Sequence, residues 1–237
     1  MSVQIDVLRR ESPAAEARWQ SFLYDPGTPA DTVATALTAL NARPDLRDRN
    51  GAPAAPIRWE HSCLQKKCGA CAMVICGRPG LACDARLSDY PGPIRLEPFR
   101  KFPVVADLLV DRSVMFDNLR TLEVWLEKAQ VPREAAVETA YAASRCLQCG
   151  CCLEVCPNFA PGGSFFSAAG AAPMSRLLAQ APEDRAAAKR YRTFLYEGCG
   201  KSLSCHNVCP AGIDLEDLMV RSSAAAAWRG LFRNRKA

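Results

Sequence analysis

Four of the five cysteines between residues 146 and 157 constrain this chain more than any other sequence feature. They are Cys146, Cys149, Cys152 and Cys156. Their spacing is C-x2-C-x2-C-x3-C, and Pro157 follows the last of them directly. Bacterial ferredoxins use this spacing for 4Fe-4S clusters, and in two-cluster ferredoxins the fourth cysteine binds the other cluster. The run therefore predicts a partner run elsewhere in the chain.

The partner run lies at residues 199–210, where three cysteines repeat the register of the first run and a proline again follows the last. These cysteines are Cys199, Cys205 and Cys209. The position that would match Cys149 holds Ser202. Because a serine oxygen is a harder and less acidic ligand than a thiolate, the substitution predicts a cluster with one iron fewer.

Cross-pairing of the two runs predicts two clusters with separate ligand sets. The set for a 4Fe-4S cluster is Cys146, Cys149, Cys152 and Cys209, and the set for a 3Fe-4S cluster is Cys156, Cys199 and Cys205. A lone C-x2-C in a reduced compartment is more often a zinc site or a pair of buried small residues. Repetition of a proline-terminated pattern favours the clusters.

A third group of cysteines, nearer the N-terminus, has the spacing C-x4-C-x2-C followed by a fourth cysteine after eleven residues. Its members are Cys63, Cys68, Cys71 and Cys83. This is the plant-type arrangement for a 2Fe-2S cluster. Residues 72–75 and 78–82 are expected to form a hairpin that returns Cys83 to the loop, with its turn at Cys76 and Gly77.

The remaining cysteines and the two histidines are expected not to bind metal. Cys76 and Cys151 fall outside the ligand spacings. His61 and His206 each stand beside a ligand group, but a Rieske-type site needs two histidines at one cluster.

Composition places the chain among ordinary globular proteins. Its 237 residues are 49% hydrophobic and 23% charged, which suits two domains. The net charge of +5 is modest and spread along the chain, so nucleic-acid binding is not indicated. No export signal or membrane-spanning run is visible. The thirteen cysteines are therefore expected to stay reduced until metal is delivered.

Hydrophobic patterning predicts an α+β fold. Residues 3–7 and 18–24 read as strands, and Asp31 is expected to cap a short helix that contains Leu37. We expect a plant-type 2Fe-2S ferredoxin (β-grasp) domain at residues 1–105 and an all-α, bacterial-ferredoxin-like domain at residues 106–237. Residues 91–103 are expected to be a crossover punctuated by prolines.

The second half is expected to be helical throughout. Helical spacing is found in residues 111–130, 134–144, 174–180, 183–196 and 215–232. Residues 157–174 contain three phenylalanines and no charged side chain. This stretch predicts either an apolar surface for a membrane anchor or a loop of the core, and the sequence leaves both open.

The order of the three cysteine groups resembles the iron-sulfur subunits of the succinate dehydrogenase and fumarate reductase family. The likeness covers almost the whole chain, including FPVVADLLVD at residues 102–111, which looks like the family's connector between domains. It implies relay of single electrons between a flavoprotein dicarboxylate site and a quinone. It also implies an FAD-containing flavoprotein partner, a membrane anchor with quinone, and a peripheral position on the cytoplasmic side of the inner (plasma) membrane. The chain itself lacks a dinucleotide-binding glycine motif.

Two departures from the family pattern bear on the quinone. Ubiquinone-linked members carry a tryptophan shortly after the second group's Cys-Pro and a histidine after the first cysteine of the third group. This sequence has Pro161 and Gly200 there. Fumarate reductases and menaquinone-linked members often lack both residues, so the resemblance favours a bacterial fumarate reductase-like enzyme.

Two other functions stay open. The chain is suited to serve another flavin-dependent oxidoreductase, with a soluble donor or a different unsaturated acid or hydroxyacid as substrate. A zinc-stabilised interaction protein without redox activity is the second alternative.

Overall fold

The computed structural model describes residues 2–126 and 134–228 of the chain. The backbone forms two compact units, Met1–Arg112 and Ser113–Ala237. The expected boundary between functional domains after residue 105 stays a prediction, and that position falls within a short strand of the first unit. No helix among the described residues has the length and apolar character needed to cross a bilayer.

The first unit is built on a five-stranded mixed sheet. Its strands are β1 (Val3–Arg9), β2 (Arg18–Tyr24), β3 (Ala72–Ile75), β4 (Arg78–Leu81) and β5 (Ile94–Glu97). The order across the sheet is β2-β1-β5-β3-β4, with β1 and β5 parallel and the other neighbours antiparallel. Ile5, Val7 and Phe22 are fully buried, because alternate residues of a strand face the core. The predicted strands β1 and β2 are confirmed.

Helix α1 (Val33–Asn41) is tied to the segment that carries Cys83. The backbone N–H groups of Val33 and Ala34 donate to the carbonyls of Ala85 and Ala82. The predicted helix is confirmed, but its N-cap is Thr32, whose hydroxyl accepts from the Thr35 N–H. Asp31 was the wrong cap because its carboxylate is already used within the preceding turn, where Tyr24 Oη, Gly27 N and Thr28 Oγ1 donate to it.

The crossover expected at residues 91–103 contains a strand that was not predicted, Ile94–Glu97. This segment is β5, which lies between β1 and β3 in the sheet. Ile94 and Leu96 are fully buried while Arg95 is exposed, the alternation of a strand with one buried face. A two-stranded ribbon of β6 (Val104–Ala106) and β7 (Leu109–Val110) follows.

The second unit is helical in its described part. Its helices are α2 (Ser113–Leu122), α3 (Glu134–Ser144), α4 (Cys151–Val155), α5 (Ser167–Gln180), α6 (Arg185–Tyr191) and α7 (Leu215–Ala226), with a π-helical turn at Arg192–Tyr196 after α6. Helix α5 is central because its residues belong to both apolar clusters of the unit. Met174 and Leu177 pack in one cluster, and Ala168 and Ala172 pack in the other. The predicted α+β class is confirmed.

Helix limits differ from the expected ones in several places. Helix α2 ends at Leu122, and Glu123 has a left-handed φ of 50°. The predicted continuation of this helix is therefore wrong for residues 123–126, and residues 127–130 lie outside the described part. Helix α5 begins at Ser167, seven residues before the expected start. The last helix ends at Ala226, so its predicted continuation is wrong for residues 227 and 228, and residues 229–232 lie outside the described part.

The phenylalanines of residues 157–174 lie mainly in the core. Phe159 and Phe166 are buried, and the Phe166 ring stacks on Phe194 with 4.8 Å between ring centroids. Of the two expectations for this stretch, the core loop is confirmed for these side chains, and an exposed apolar surface built from them is wrong.

Candidate metal centres

The four N-terminal cysteines come together at one end of the β3–β4 hairpin. Cys71 directly precedes β3, and the N–H of Ala82 donates to its carbonyl oxygen at 3.0 Å. This pairing brings Cys83 back to the loop, so that Cys71 Sγ and Cys83 Sγ are 3.3 Å apart. The predicted hairpin is confirmed, and both turn residues, Cys76 and Gly77, have positive φ, as its tight turn requires.

Backbone amides of the N-terminal loop point at cysteine sulfur. The N–H groups of Gln65 and Lys67 each donate to Cys63 Sγ at 3.4 Å, and that of Lys66 donates to Cys83 Sγ at 3.3 Å. The Gln65 amide and then the Cys68 thiol lower the pKa of Cys63 to about 7, because hydrogen bonds stabilise the thiolate. The thiolate is the form that binds metal.

Cys71 has the opposite environment, since it is almost fully buried. Burial raises the pKa of its thiol to about 12, because a buried charge loses its hydration. Bound iron would supply the compensating positive charge and displace the proton. The loop therefore combines one readily ionised thiol with one that ionises only when metal arrives.

Arg112 holds the backbone of the same loop from its carbonyl side. Its guanidinium donates to the carbonyl oxygens of Gly69 at 3.2 Å, Ala70 at 2.9 Å and Ala72 at 3.0 Å. The Arg112 side chain is only 12% exposed. These contacts fix the peptides on both sides of Cys71.

In the second unit, one pocket gathers the predicted 4Fe-4S ligands. Its lining includes Cys146, Cys149, Cys152 and Cys209. Burial and then the neighbouring thiols Cys149 and Cys146 raise the pKa of Cys152 well above its usual value. Burial raises the pKa of Cys146 to about 11. The structure thus brings together all four residues that the cross-pairing predicts.

The predicted 3Fe-4S residues lie beside the 4Fe-4S group, since Cys152 and Cys205 pack against the same apolar cluster. Burial, followed by the thiols of Cys156 and Cys199, raises the pKa of Cys205, so these three cysteines lie close enough to interact. Ser202 is exposed, and its Oγ lies 3.4 Å from Ser204 Oγ. A solvent-exposed hydroxyl is a poor substitute for a thiolate.

The cysteines and histidines predicted to be non-ligands lie in varied surroundings. Cys76 is exposed in its turn, whereas Cys151 is fully buried at the start of α4. His61 packs on the Trp59 ring, and His206 Nδ1 lies 3.5 Å from an oxygen of Asp214. Their non-ligand status stays a prediction.

Backbone conformation in the ligand loops is unusual for residues that carry a side chain. Left-handed φ values are found at Leu64, Lys66, Gln148, Lys201 and Leu203. Each of these residues lies within three positions of a predicted ligand. The conformation turns successive amides and sulfurs toward a common centre, as a bound anion or cluster requires.

Sequence reasoning missed two side chains that contact the ligand loops. The side chain of Gln148, which stands between Cys146 and Cys149, donates to Cys146 Sγ at 3.2 Å. A long amide inside a ligand spacer was a usable signal. Arg112 gave no such signal, because it stands 29 positions after Cys83 and its carbonyl partners are set only by folding.

The donor chemistry fits iron-sulfur clusters. Cysteine thiolates are their usual ligands, and hydrogen bonds from amides to sulfur are a principal means of adjusting their potentials. All three cysteine groups offer several sulfurs at one place, and two of them show donors aimed at sulfur.

Family models and known proteins agree with this geometry. A 2Fe-2S iron-sulfur cluster binding domain matches residues 4–117, and a 4Fe-4S dicluster domain matches residues 142–213. The first match contains the N-terminal cysteine group, and the second contains both later groups. The chain therefore carries a 2Fe-2S domain followed by a 4Fe-4S domain.

Curated relatives cover most of the chain. It is 35% identical to the succinate dehydrogenase iron-sulfur subunit of Bacillus subtilis (strain 168), over 95% of this chain and 94% of the relative. It is 33% identical to the fumarate reductase iron-sulfur subunit of Mycobacterium tuberculosis (strain CDC 1551 / Oshkosh), over 74% of this chain and 75% of the relative. A chain of the Mycobacterium smegmatis Sdh1 complex in the apo form shares the fold, with a TM-score of 0.74 and 20% identity over 97% of both chains.

Proposed function

The chain belongs to the family of succinate dehydrogenase and fumarate reductase iron-sulfur subunits, and from this membership we propose that it relays single electrons between a flavoprotein and a quinone. The flavoprotein would act on succinate or fumarate, as the named relatives' enzymes do. The observation that carries the proposal is the gathering of cysteines into three neighbourhoods within a chain that matches such subunits almost end to end. Iron-sulfur clusters, when bound, take up and release one electron at a time.

The proposed ligand sets follow the three neighbourhoods. Cys63, Cys68, Cys71 and Cys83 would hold the 2Fe-2S cluster, Cys146, Cys149, Cys152 and Cys209 the 4Fe-4S cluster, and Cys156, Cys199 and Cys205 a 3Fe-4S cluster. The close approach of Cys71 and Cys83 supports the first set. The shared pocket supports the second, and the influence of Cys156 and Cys199 on Cys205 supports the third.

Two partners are part of this proposal. An FAD-containing flavoprotein would carry out the chemistry on the dicarboxylate, because forming or reducing a carbon-carbon double bond is a two-electron task suited to a flavin. A membrane anchor would supply the quinone and hold the chain peripherally at the cytoplasmic face of the membrane.

Menaquinone is the quinone that we propose as electron acceptor or donor, because Gly200 stands in the third cysteine group where ubiquinone-linked members carry histidine. A Cβ at Gly200, where ubiquinone-linked members carry histidine, would lie 2.9 Å from Asn158 Nδ2. The Asn158 side chain is held there by its hydrogen bond to the Gly198 carbonyl at 2.8 Å. A side chain at position 200 would therefore have to displace the exposed amide of Asn158.

The test is purification of the native complex under anaerobic conditions. We expect a brown complex that contains an FAD subunit and transfers electrons between menaquinol and fumarate, or from succinate to menaquinone. Electron paramagnetic resonance of the air-oxidised complex should show an oxidised 3Fe-4S signal. A colourless zinc protein, or a complex with a flavoprotein active on a different acid, would contradict the proposal.

A further inference from the structure

The Gln148 side chain links a predicted cluster ligand to helix α5. Its Nε2 lies 3.2 Å from Cys146 Sγ and 3.0 Å from the carbonyl oxygen of Ala169. Both Gln148 and Ala169 line the pocket that contains the four cysteines. A glutamine amide has two N–H donors, so one nitrogen can serve both acceptors.

The Ala169 carbonyl needs this donor because of a proline. In an α-helix the carbonyl of residue 169 accepts from the N–H of residue 173, and here residue 173 is Pro173, inside α5. Proline has no N–H and its ring pushes the carbonyl four residues earlier out of line. Ala169 is also buried, so leaving its carbonyl oxygen without a hydrogen-bond donor would destabilise the fold. The Gln148 amide supplies the missing donor.

The acceptor end of the same amide does not share in these contacts. Gln148 Oε1 is buried, and among the described residues it has no hydrogen-bond donor. Burial of an unpaired carbonyl oxygen is unfavourable. The amide is therefore placed for what its nitrogen donates rather than for what its oxygen accepts.

We propose that Gln148 is a positioning residue that raises the reduction potential of the 4Fe-4S cluster, and that Pro173 holds it in place. The inference rests on the proposed ligand set, in which Cys146 binds that cluster. The contact from Nε2 withdraws electron density from the ligand sulfur, and this stabilises the reduced cluster, which carries one more negative charge. Anchoring on Ala169 keeps the amide from turning away.

The first experiment is a redox titration of the full chain. The electron paramagnetic resonance signal of the reduced 4Fe-4S cluster is measured at each potential. Gln148→Met keeps the length of the side chain and removes both donors. We expect the ratio of reduced to oxidised cluster at a fixed ambient potential to fall about tenfold, because the contact is stronger to the more negative sulfur of the reduced cluster. For a one-electron couple this corresponds to about 59 mV.

Gln180→Met is the matched control, because Gln180 is the last residue of α5 and does not line the pocket. Its potential should equal that of the wild type. Gln148→Leu provides a second apolar replacement if the Met variant does not take up the cluster.

A double-mutant cycle tests the part played by Pro173. With Pro173→Ala, residue 173 regains an N–H that can satisfy the Ala169 carbonyl. Gln148→Met should therefore lower the midpoint of thermal unfolding more in the wild-type background than in the Pro173→Ala background, where only the contact with Cys146 is lost.

The outcomes separate this inference from the proposed function. Wild-type protein without a 4Fe-4S signal would overturn the ligand set and this inference with it. A loaded wild type whose potential is matched by Gln148→Met and Gln148→Leu would overturn the inference alone. Equal losses of thermal stability in both backgrounds would overturn the role of Pro173.

Discussion

Ser202 is the residue on which the identity of the third cluster depends. It occupies the ligand register between Cys199 and Cys205, and its exposed hydroxyl faces Ser204 rather than a thiol. A hydroxyl ionises far less readily than a thiol and binds iron more weakly, so a fourth iron at this site would lack a strong protein ligand.

Restoring a thiolate should convert the proposed 3Fe-4S cluster into a 4Fe-4S cluster. We expect Ser202→Cys to add one iron per chain, to abolish the 3Fe-4S signal of the air-oxidised protein, and to slow quinone-linked turnover. Iron analysis and electron paramagnetic resonance measure the conversion. Ser204→Cys is the control, since it adds a thiol two residues away and out of register. A second 4Fe-4S cluster already present in the wild type would contradict the assignment.

Among the elements, the loop that leads into the third cysteine group is packed too tightly for a side chain at Gly198. A Cβ there would lie 2.5 Å from Cδ2 and 2.7 Å from Cβ of Phe165. The Phe165 Cβ is fixed by its own backbone, so the contact is not relieved by a simple rotation of the ring. Cys199 follows directly and would have to move with the loop.

Gly198→Ala should therefore destabilise the second unit by about 1–3 kcal/mol, the usual range for overpacking. Because the displaced residue is next to Cys199, we also expect loss of the 3Fe-4S signal while the 2Fe-2S signal is retained. Thermal unfolding and spectroscopy on the same samples measure both effects. Gly92→Ala is a matched control, since no atom lies within 4 Å of a Cβ at that position. Equal behaviour of the two variants would refute the packing argument.

Ligand spacing was predictable because it is local, whereas the missing elements depend on distant partners. Cysteine spacings can be read along the chain, and residues in β1 and β2 show the two-residue alternation that is typical of strands. Segment β5 is only four residues long and follows Pro93. It becomes a central strand because β1 and β3 lie on either side of it, and its apolar-polar alternation is too short to predict this on its own. The cap is Thr32 and not Asp31 for a similar reason, because the Asp31 carboxylate accepts a hydrogen bond from the Tyr24 hydroxyl.

At the scale of the whole molecule, the first unit needs the residues between the sheet and α2. The buried Asp107 accepts hydrogen bonds from Arg9 Nε at 2.9 Å, Arg10 N at 3.0 Å and Arg58 N at 2.9 Å. Removal of Asp107 would leave the buried Arg9 without its counter-ion, which typically costs about 3–5 kcal/mol. Arg112 adds its contacts to the cysteine loop.

A chain that ends at Arg112 should therefore fold and bind one 2Fe-2S cluster. A chain that ends at Pro103 lacks β6, β7, Asp107 and Arg112, and we expect it to remain unfolded or to lose the cluster rapidly. Visible absorption, iron content and circular dichroism of the two fragments provide the comparison. Cluster binding of equal stability in both fragments would show that the connecting segment is dispensable.

The left-handed backbone of the ligand loops matters most for a newly synthesised chain. For a residue with a Cβ, this conformation is less favourable by roughly 1–2 kcal/mol, and it is found at Leu64 and Lys66 in one loop and at Lys201 and Leu203 in another. Before iron and sulfide arrive, relaxing these loops to ordinary backbone conformations lowers the free energy of the chain. Metal binding offsets the cost of holding the left-handed conformation. We therefore expect proteases to cleave these loops more readily in a chain that awaits its cofactors than in the finished subunit, and this difference in accessibility would let cellular quality control distinguish the two.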